Sequence, residues 1–309
     1  MFLSLIICTY NRTEWVNNLL ISISLQKIVP DEIIIVDASK NNNNYRFPKN
    51  INASVIKSDK MQLTYQKQLG IKKSKGEIVT FLDDDTYLDA NYFKNILVVF
   101  NRDKNKKIGA VSGYISNEWG ITSTKPDFFM KLLKLLNIYD GDFKPGSVSD
   151  SGIFIELNEL KPFTGIKKVD FVPGGCTSFR REVFENFMPP LRITKYGGED
   201  KAFSRMIVKE WDLYVCGDAN LEHYSAKGGA RQTNYSQSLS TVLYVCLIQK
   251  EYGTNTNSTF KLRLYFIFSA LRIYFISVVM FISVIKIKKS YNWFMRGLGY
   301  FVGALKLSK

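Results

Sequence analysis

Histidine is almost missing from these 309 residues: His223 is alone. Cysteine is scarce too, with Cys8, Cys176, Cys216 and Cys246 showing no CxxC spacing. This scarcity argues against a Cys/His zinc module and against a disulfide framework, and a reducing compartment suits the thiols best. No G-x-x-x-x-G-K-[ST] occurs anywhere, which sets aside a P-loop ATPase. The N-terminal "MFLSLIICTYN" is apolar but short, lacks a basic leader and turns polar at Thr9. It reads as a first strand and not as a signal peptide, and the chain is expected to start and stay in the cytoplasm. Acidic residues are absent from 261 to 309, where nine Lys or Arg occur.

What is present is enough for a sizeable core: hydrophobic residues make up 46% of the chain, consistent with one large domain plus an appendage, or with two small domains. Lys+Arg exceed Asp+Glu by 42 to 28, a net charge of +14. That balance favours an anionic partner such as nucleic acid, an acidic membrane surface or a phosphorylated small molecule, and does not choose among them. Part of it is compositional, because the chain is rich in Lys, Asn and Ile, with "NNNN" at 41–44.

The first half alternates β-branched runs with amphipathic stretches: "LSLIICTYN", "TEWVNNLLISISLQ", "DEIIIVDAS", "SVIKSD", "MQLTYQKQLGIKKSK" and "EIVTFLDDD". This rhythm predicts an α/β fold, a Rossmann-like, mostly parallel sheet flanked by helices. In the first helix Trp15, Leu19, Leu20 and Ile23 share one face, with Asn11 or Thr13 available as cap. Ligands gather outside the carboxyl ends of such strands, so Thr9–Arg12, Asp37–Ser39, Ser58–Asp59 and Asp83–Asp85 are the polar groups of interest. Strands and helices continue to about residue 224, followed by a Gly-rich basic loop "SAKGGARQTN" able to close over an anion or to serve as a plain surface connection.

Carboxylates fall in three places: Asp37, the triple Asp83, Asp84, Asp85, and Glu199-Asp200 opening a helix after "YGG". Neighbouring carboxylates roughly 6 Å apart repel by about 2–3 kcal/mol at an effective dielectric near 20, so the triple calls for a cation. If the chain is extended there, Asp83 and Asp85 share one side and Asp84 faces the other. Oxygen ligands suit Mg2+ or Mn2+, ions that keep positions for substrate phosphates. A metal-chelated diphosphate fits such a site.

"IICTYNR", "IIIVDAS", "FLDDD", "PGGCTSFRREVF" and "GGED" occur in an order and spacing that resemble a family 2 glycosyltransferase of the GT-A fold, over about residues 1–225. The resemblance implies an inverting transferase that uses a nucleotide-diphosphate sugar and a divalent metal. By it, Thr9, Tyr10, Asn11 and Arg12 line the nucleotide pocket, Asp37 reads the base, and Asp83 and Asp84 touch nucleotide and ribose. Lys67 takes a basic position near the nucleotide, while Gln68 stands where the pattern has Asn. Asp85 resembles the metal ligand, Asp200 the catalytic base, and Glu199 with Gly174, Gly175 and Cys176 the acceptor side. His223 is a further metal candidate, although a lone histidine is more often structural. A UDP-sugar is the favoured donor, with dTDP- or GDP-sugars as alternatives.

After Gly253 comes "LYFIFSALRIYFISVVMFISVI", long enough to span a bilayer, but with Arg272 at its middle. A spanning arginine costs about 2.5–3.5 kcal/mol, and a basic-flanked helix lying in the interface avoids that cost. The expected division is therefore 1–225 as the transferase domain, with halves at about 1–107 and 108–225, 226–253 as active-site loop and helix, and 254–309 as membrane-associating helices. The expected location is the cytoplasmic side of the membrane, with a cell-envelope glycan or lipid-linked acceptor and no nucleic acid. A sugar nucleotidyltransferase would share sheet and metal chemistry, but no Gly-rich basic phosphate loop lies near the first strand. A non-enzymatic basic membrane-binding protein would explain the tail, though not three carboxylate sites at strand ends.

Overall fold

In a computed structural model, the described residues are 1–41, 43–119, 128–139, 144–192, 197–224, 234–253, 258–282 and 287–306. Residues 225–233 of the expected anion-closing loop lie outside them. The chain forms two compact units: 1–123 with 156–194 and 199–229, and 124–155 with 195–198 and 230–309.

The first unit opens β1 (Leu3–Thr9), α1 (Thr13–Ser24), β2 (Glu32–Asp37), β3 (Asn52–Lys57), α2 (Leu63–Lys73), β4 (Ile78–Asp83), β5 (Thr86–Leu88), α3 (Tyr92–Arg102) and β6 (Ile108–Ile115). Within the second unit lies α4 (Phe128–Leu135); the first resumes with β7 (Ile166–Val169), β8 (Cys176–Arg180), α5 (Val183–Asn186), α6 (Glu199–Ile207) and β9 (Asp212–His223). The sheet order is β3-β2-β1-β4-β8-β6-β9-β5, with β7 on β9. Pairs β1/β2, β1/β4, β2/β3 and β6/β9 are parallel, and the pairs made by β5, β7 and β8 are antiparallel. The mixed α/β sheet flanked by helices is the expected architecture.

Strand periodicity explains the two cores. Leu3, Leu5 and Ile7 of β1 point to one face, where Ile33 and Ile35 of β2 meet Val16, Leu19, Leu20 and Ile23 of α1 and the apolar side of α3. Ile6, Ile34, Val36, Val79 and Phe81 point to the other, beneath α2 and α6. Two details of α1 differ from expectation. Val16 completes its buried stripe, while Trp15 is only half-buried and its ring stands 6.2 Å from Tyr224. Arg12 occupies the N-cap without a side-chain cap bond, because its guanidinium is engaged elsewhere.

The second unit carries α7 (Asn234–Tyr252), α8 (Ser258–Ile282) and α9 (Ile287–Lys306). Leu133, Ile138, Tyr139, Ile153 and Ile155 pack there with Val242, Val245, Leu262, Phe266 and Ala304. Residues 124–155 therefore cluster with the C-terminal helices and not, as the expected division had it, with the acceptor half. A Cβ on Gly299 would lie 2.5 Å from the Tyr235 carbonyl oxygen, and one on Gly303 2.7 Å from Val242 Cβ, so glycine is what lets α9 approach α7. Among the described residues, no helix is long and apolar enough to cross a membrane.

Phe179 is 4% exposed and stands 5.9 Å from Phe81, 5.6 Å from Phe184 and 5.4 Å from Phe203, ring centre to ring centre. Phe179→Ala should cost about 3–5 kcal/mol in chemical denaturation; a loss below about 1 kcal/mol would show that this cluster is not a packed core.

Candidate active site

Parallel register aligns the polar strand ends. Thr9 pairs with Asp37, Asp37 with Lys57, and Cys8 with Asp83, so residues remote in sequence finish in one row. Asp37 is fully buried. Its carboxylate accepts from the Ser39 N–H at 2.8 Å, Asn43 Nδ2 at 2.9 Å and Lys57 Nζ at 3.1 Å. Burial pushes its pKa up, but these donors outweigh it and hold the group below the ordinary carboxylate value. In this arrangement Asp37 anchors the Ser39–Asn43 loop and is not an open contact for a base. Ser39 also accepts the Asn11 N–H at 2.7 Å, with Asn11 at φ 54°. Tyr10, beside it, is half-buried.

The aspartate triple splits by side. Asp84 accepts from Thr9 Oγ1 at 2.7 Å and from Arg12 Nη1 at 2.9 Å. Burial lifts it to about 6, with Thr9 and Arg12 pulling the other way. Asp83 and Asp85 instead converge with His223, each offering one atom within 4.8 Å of the others. His223 reaches that point because β9 runs antiparallel to β5, placing it opposite Thr86. Its Nε2 lies 3.2 Å from Asp85 Oδ1 and its Nδ1 2.6 Å from Glu118 Oε1. These two carboxylates, against the effect of burial, raise His223 to about 10.

A short turn, Ser116–Glu118, holds the end of β9. Ser116 Oγ donates to the Leu221 carbonyl at 3.1 Å; Asn117 donates to the His223 carbonyl at 2.9 Å and accepts its N–H at 3.0 Å. Glu118 then fixes the ring. No sequence motif marked these three residues, because their role comes from pairing across 105 positions.

Gly174 and Gly175 join the cluster to the other carboxylates. A Cβ on Gly175 would lie 2.0 Å from Asp83 Oδ2, so only glycine permits this overlap. The Gly174 N–H donates to Asp200 Oδ2 at 3.2 Å, and its carbonyl accepts from Lys67 Nζ at 3.1 Å. Asp200 Oδ1 accepts the Lys201 N–H at 2.8 Å at the start of α6. Cys176 departs from expectation: it is fully buried in β8, with Sγ 3.9 Å from the Gly113 carbonyl oxygen, so its side chain belongs to the core and not to an acceptor surface.

Lys67 is 5% exposed. Burial lowers its pKa, but Glu199, whose Oε1 is 3.6 Å away, together with Asp83 and Asp200, raises it above the ordinary lysine value. Burial also raises Asp83 and Glu199. Gln66, which sequence reasoning passed over, ties two strand ends by donating to the carbonyls of Thr9 at 3.1 Å and Val36 at 2.8 Å. Gln68 turns away and donates to the Pro189 carbonyl at 2.8 Å. Beside Asp200 a cavity of about 140 Å³ is bordered by Tyr114, Glu118, Glu156, Phe171 and Lys201.

Two carboxylates and an imidazole suit a hard or borderline divalent cation. Cis ligands of an octahedral ion at about 2.1 Å stand roughly 3.0 Å apart, close to the 3.2 Å that separates His223 Nε2 from Asp85 Oδ1, and all three atoms lie within 4.8 Å of one another. The residues fit such an ion.

Asp37→Asn gives a stability test with a defined sign. A depressed carboxylate pKa contributes stability above the unfolded value, here 3.8, and loses it as pH falls through the folded value. The variant should be about 1–2 kcal/mol less stable near neutral pH, with the gap closing in urea titrations as pH falls below the unfolded value. A gap independent of pH would exclude the ionised carboxylate as its source.

The family model "Glycosyl transferase family 2" matches residues 4–188. No curated protein matches the chain at the sequence level. Among solved structures, the chain is similar to the mannosyltransferase PcManGT from Pyrobaculum calidifontis in complex with GDP-Man and Mn2+, at 14% identity and TM-score 0.54, covering 99% of this chain and 86% of that one. It is similar to S. aureus TarS 1-349 in complex with UDP-GlcNAc, at 15% identity and TM-score 0.54, covering 98% and 81%. GalNAc-T7 with UDP, GalNAc and Mn2+ matches at 15% identity and TM-score 0.56, covering 81% and 49%.

Proposed function

The chain belongs to glycosyl transferase family 2, with a GT-A fold, and is a glycosyltransferase; from that premise we propose a metal-dependent, inverting transfer from a nucleotide-diphosphate sugar to an acceptor hydroxyl. The observation that carries this reading is the junction at Gly174–Gly175, where the Asp83–Asp85–His223 cluster and Asp200 share one support. The solved neighbours hold GDP-Man, UDP-GlcNAc or UDP. A UDP-sugar is our favoured donor, with GDP- or dTDP-sugars as alternatives.

Asp83, Asp85 and His223 would hold Mg2+ or Mn2+, which when bound supplies positive charge against the diphosphate oxygens. The base and ribose would lie along Thr9–Arg12 and Lys57, with Asp37 supporting them from beneath through Ser39, Asn43 and Lys57, and Asp84 keeps Arg12 and Thr9 in place. Lys67 holds Gly174 and Glu199 at the buried end. Asp200 is oriented by two backbone N–H groups and borders the cavity, where it removes the proton from the acceptor hydroxyl. That oxygen bonds to the anomeric carbon as the bond to the diphosphate oxygen breaks, and the nucleoside diphosphate leaves with the electron pair. Glu156 borders the same cavity, where an acceptor hydroxyl can donate to it; a glycan or a lipid-linked sugar is our favoured acceptor.

Asp200→Asn should lower kcat by at least about 10³-fold while donor affinity stays within a few-fold. Near-normal turnover would remove Asp200 as the base. Asp85→Ala should weaken Mn2+ binding, read by electron paramagnetic resonance without substrate, by at least about tenfold. Thermal shift against UDP-, GDP-, dTDP- and CMP-sugars with Mn2+ identifies the donor; no shift with any of them would overturn the donor class.

A further inference from the structure

The second unit presents an apolar surface that its own packing does not use. On α8 the buried side is Leu262, Phe266 and Ala270. Opposite it, Phe260 is 67% exposed, Leu271 53%, Phe275 71% and Val278 55%. At about 100° per residue, these four positions fall within an arc of about 60°. Leu264, in the same arc, is half-buried against the core, so the continuous exposed stretch is Leu271, Phe275 and Val278, with Phe260 apart at the start of the helix. Arg263 lies on one flank of the arc, and Lys261 and Arg272 on the other. On α9, Tyr291, Phe294 and Leu305 are likewise exposed and again share one arc.

We propose that this face of α8 docks on an anionic lipid bilayer, with the helix lying in the headgroup plane. The charge decides between occupants. From 261 to 309 there are nine Lys or Arg and no acidic residue, in a chain of net charge +14. A second copy would bring two such surfaces together and pay their mutual repulsion. An anionic membrane instead draws each cation in and receives the apolar stripe. Long Arg and Lys stems on the flanks reach up to phosphates while Phe and Leu enter the acyl boundary. This face stands independently of the catalytic reading, because lipid binding needs no turnover.

The test is flotation of the full chain with vesicles of phosphatidylcholine alone and of phosphatidylcholine with about 30% phosphatidylglycerol. The protein should float with the anionic vesicles, bind the neutral ones at least about tenfold less, and release as salt rises. Leu271→Ser with Phe275→Ser should weaken anionic binding at least about tenfold with an unchanged unfolding temperature, since both side chains are exposed. Truncation of the tail is a poor substitute, because Leu262, Phe266 and Ala304 belong to the core of this unit. The proposal is overturned if the protein stays with the soluble fraction, or if the double variant floats as well as the parent. It is also overturned if the same substitutions split a dimer seen by light scattering and leave lipid binding unchanged.

Discussion

Negative charge can be concentrated at the end of a buried sheet only if cations are folded in with it. Lys67 meets that requirement from within the core: its ammonium, 5% exposed, faces Glu199, Asp83 and Asp200 together. Arg12 does the same at the rim, with one Nη1 reaching both Asp84 and Asp85. Removing either cation would leave carboxylates facing one another with neither water nor counter-charge, the costly condition for buried ions. The proposed site thus gathers more carboxylates than cations, a balance that suits a divalent ion.

Two backbone features give that cluster its shape. At Gly175 the absent Cβ leaves room for the Asp83 carboxylate, and at Gly174 the peptide group is shared between Lys67 and Asp200. The turn at Ser116–Glu118 grips the last residues of β9, so His223 is held at both its backbone and its ring. A ring nitrogen bonded to a carboxylate leaves the other nitrogen directed at the cluster, the usual way a protein orients a ligating imidazole.

Much of this was legible in the chain. Continuous Ile and Val runs announce parallel strands; the pairing of Asp83 with Asp85 against Asp84 is also in the sequence as an expectation from an extended chain, although β4 ends at Asp83 and it is a turn at Asp84–Asp85 that separates them. What escaped reading depends on contacts between distant residues. Cys176 sits in a Gly-rich motif yet points into the core, because strand pairing with Leu82 sets its side. Asp37 is the expected reader of the base, and the sequence does not show that Lys57 and Asn43 enclose it from a neighbouring strand and loop. The partition of 124–155 with the C-terminal helices rests on apolar packing across about a hundred positions, for which periodicity carries no signal.

The row Thr9–Asp37–Lys57 exists only in one strand register. A slip of β2 by a single residue would send Asp37 to the opposite face and Ile35 and Val36 with it. Sheet and proposed site therefore assemble in the same event, and a misregistered sheet would lack this row of polar strand ends altogether. A molecule bound across that row selects correctly paired chains and draws the folding equilibrium toward them in proportion to its concentration. Its affinity is then a proofreading signal for a parallel sheet whose long-range pairings are slow to form.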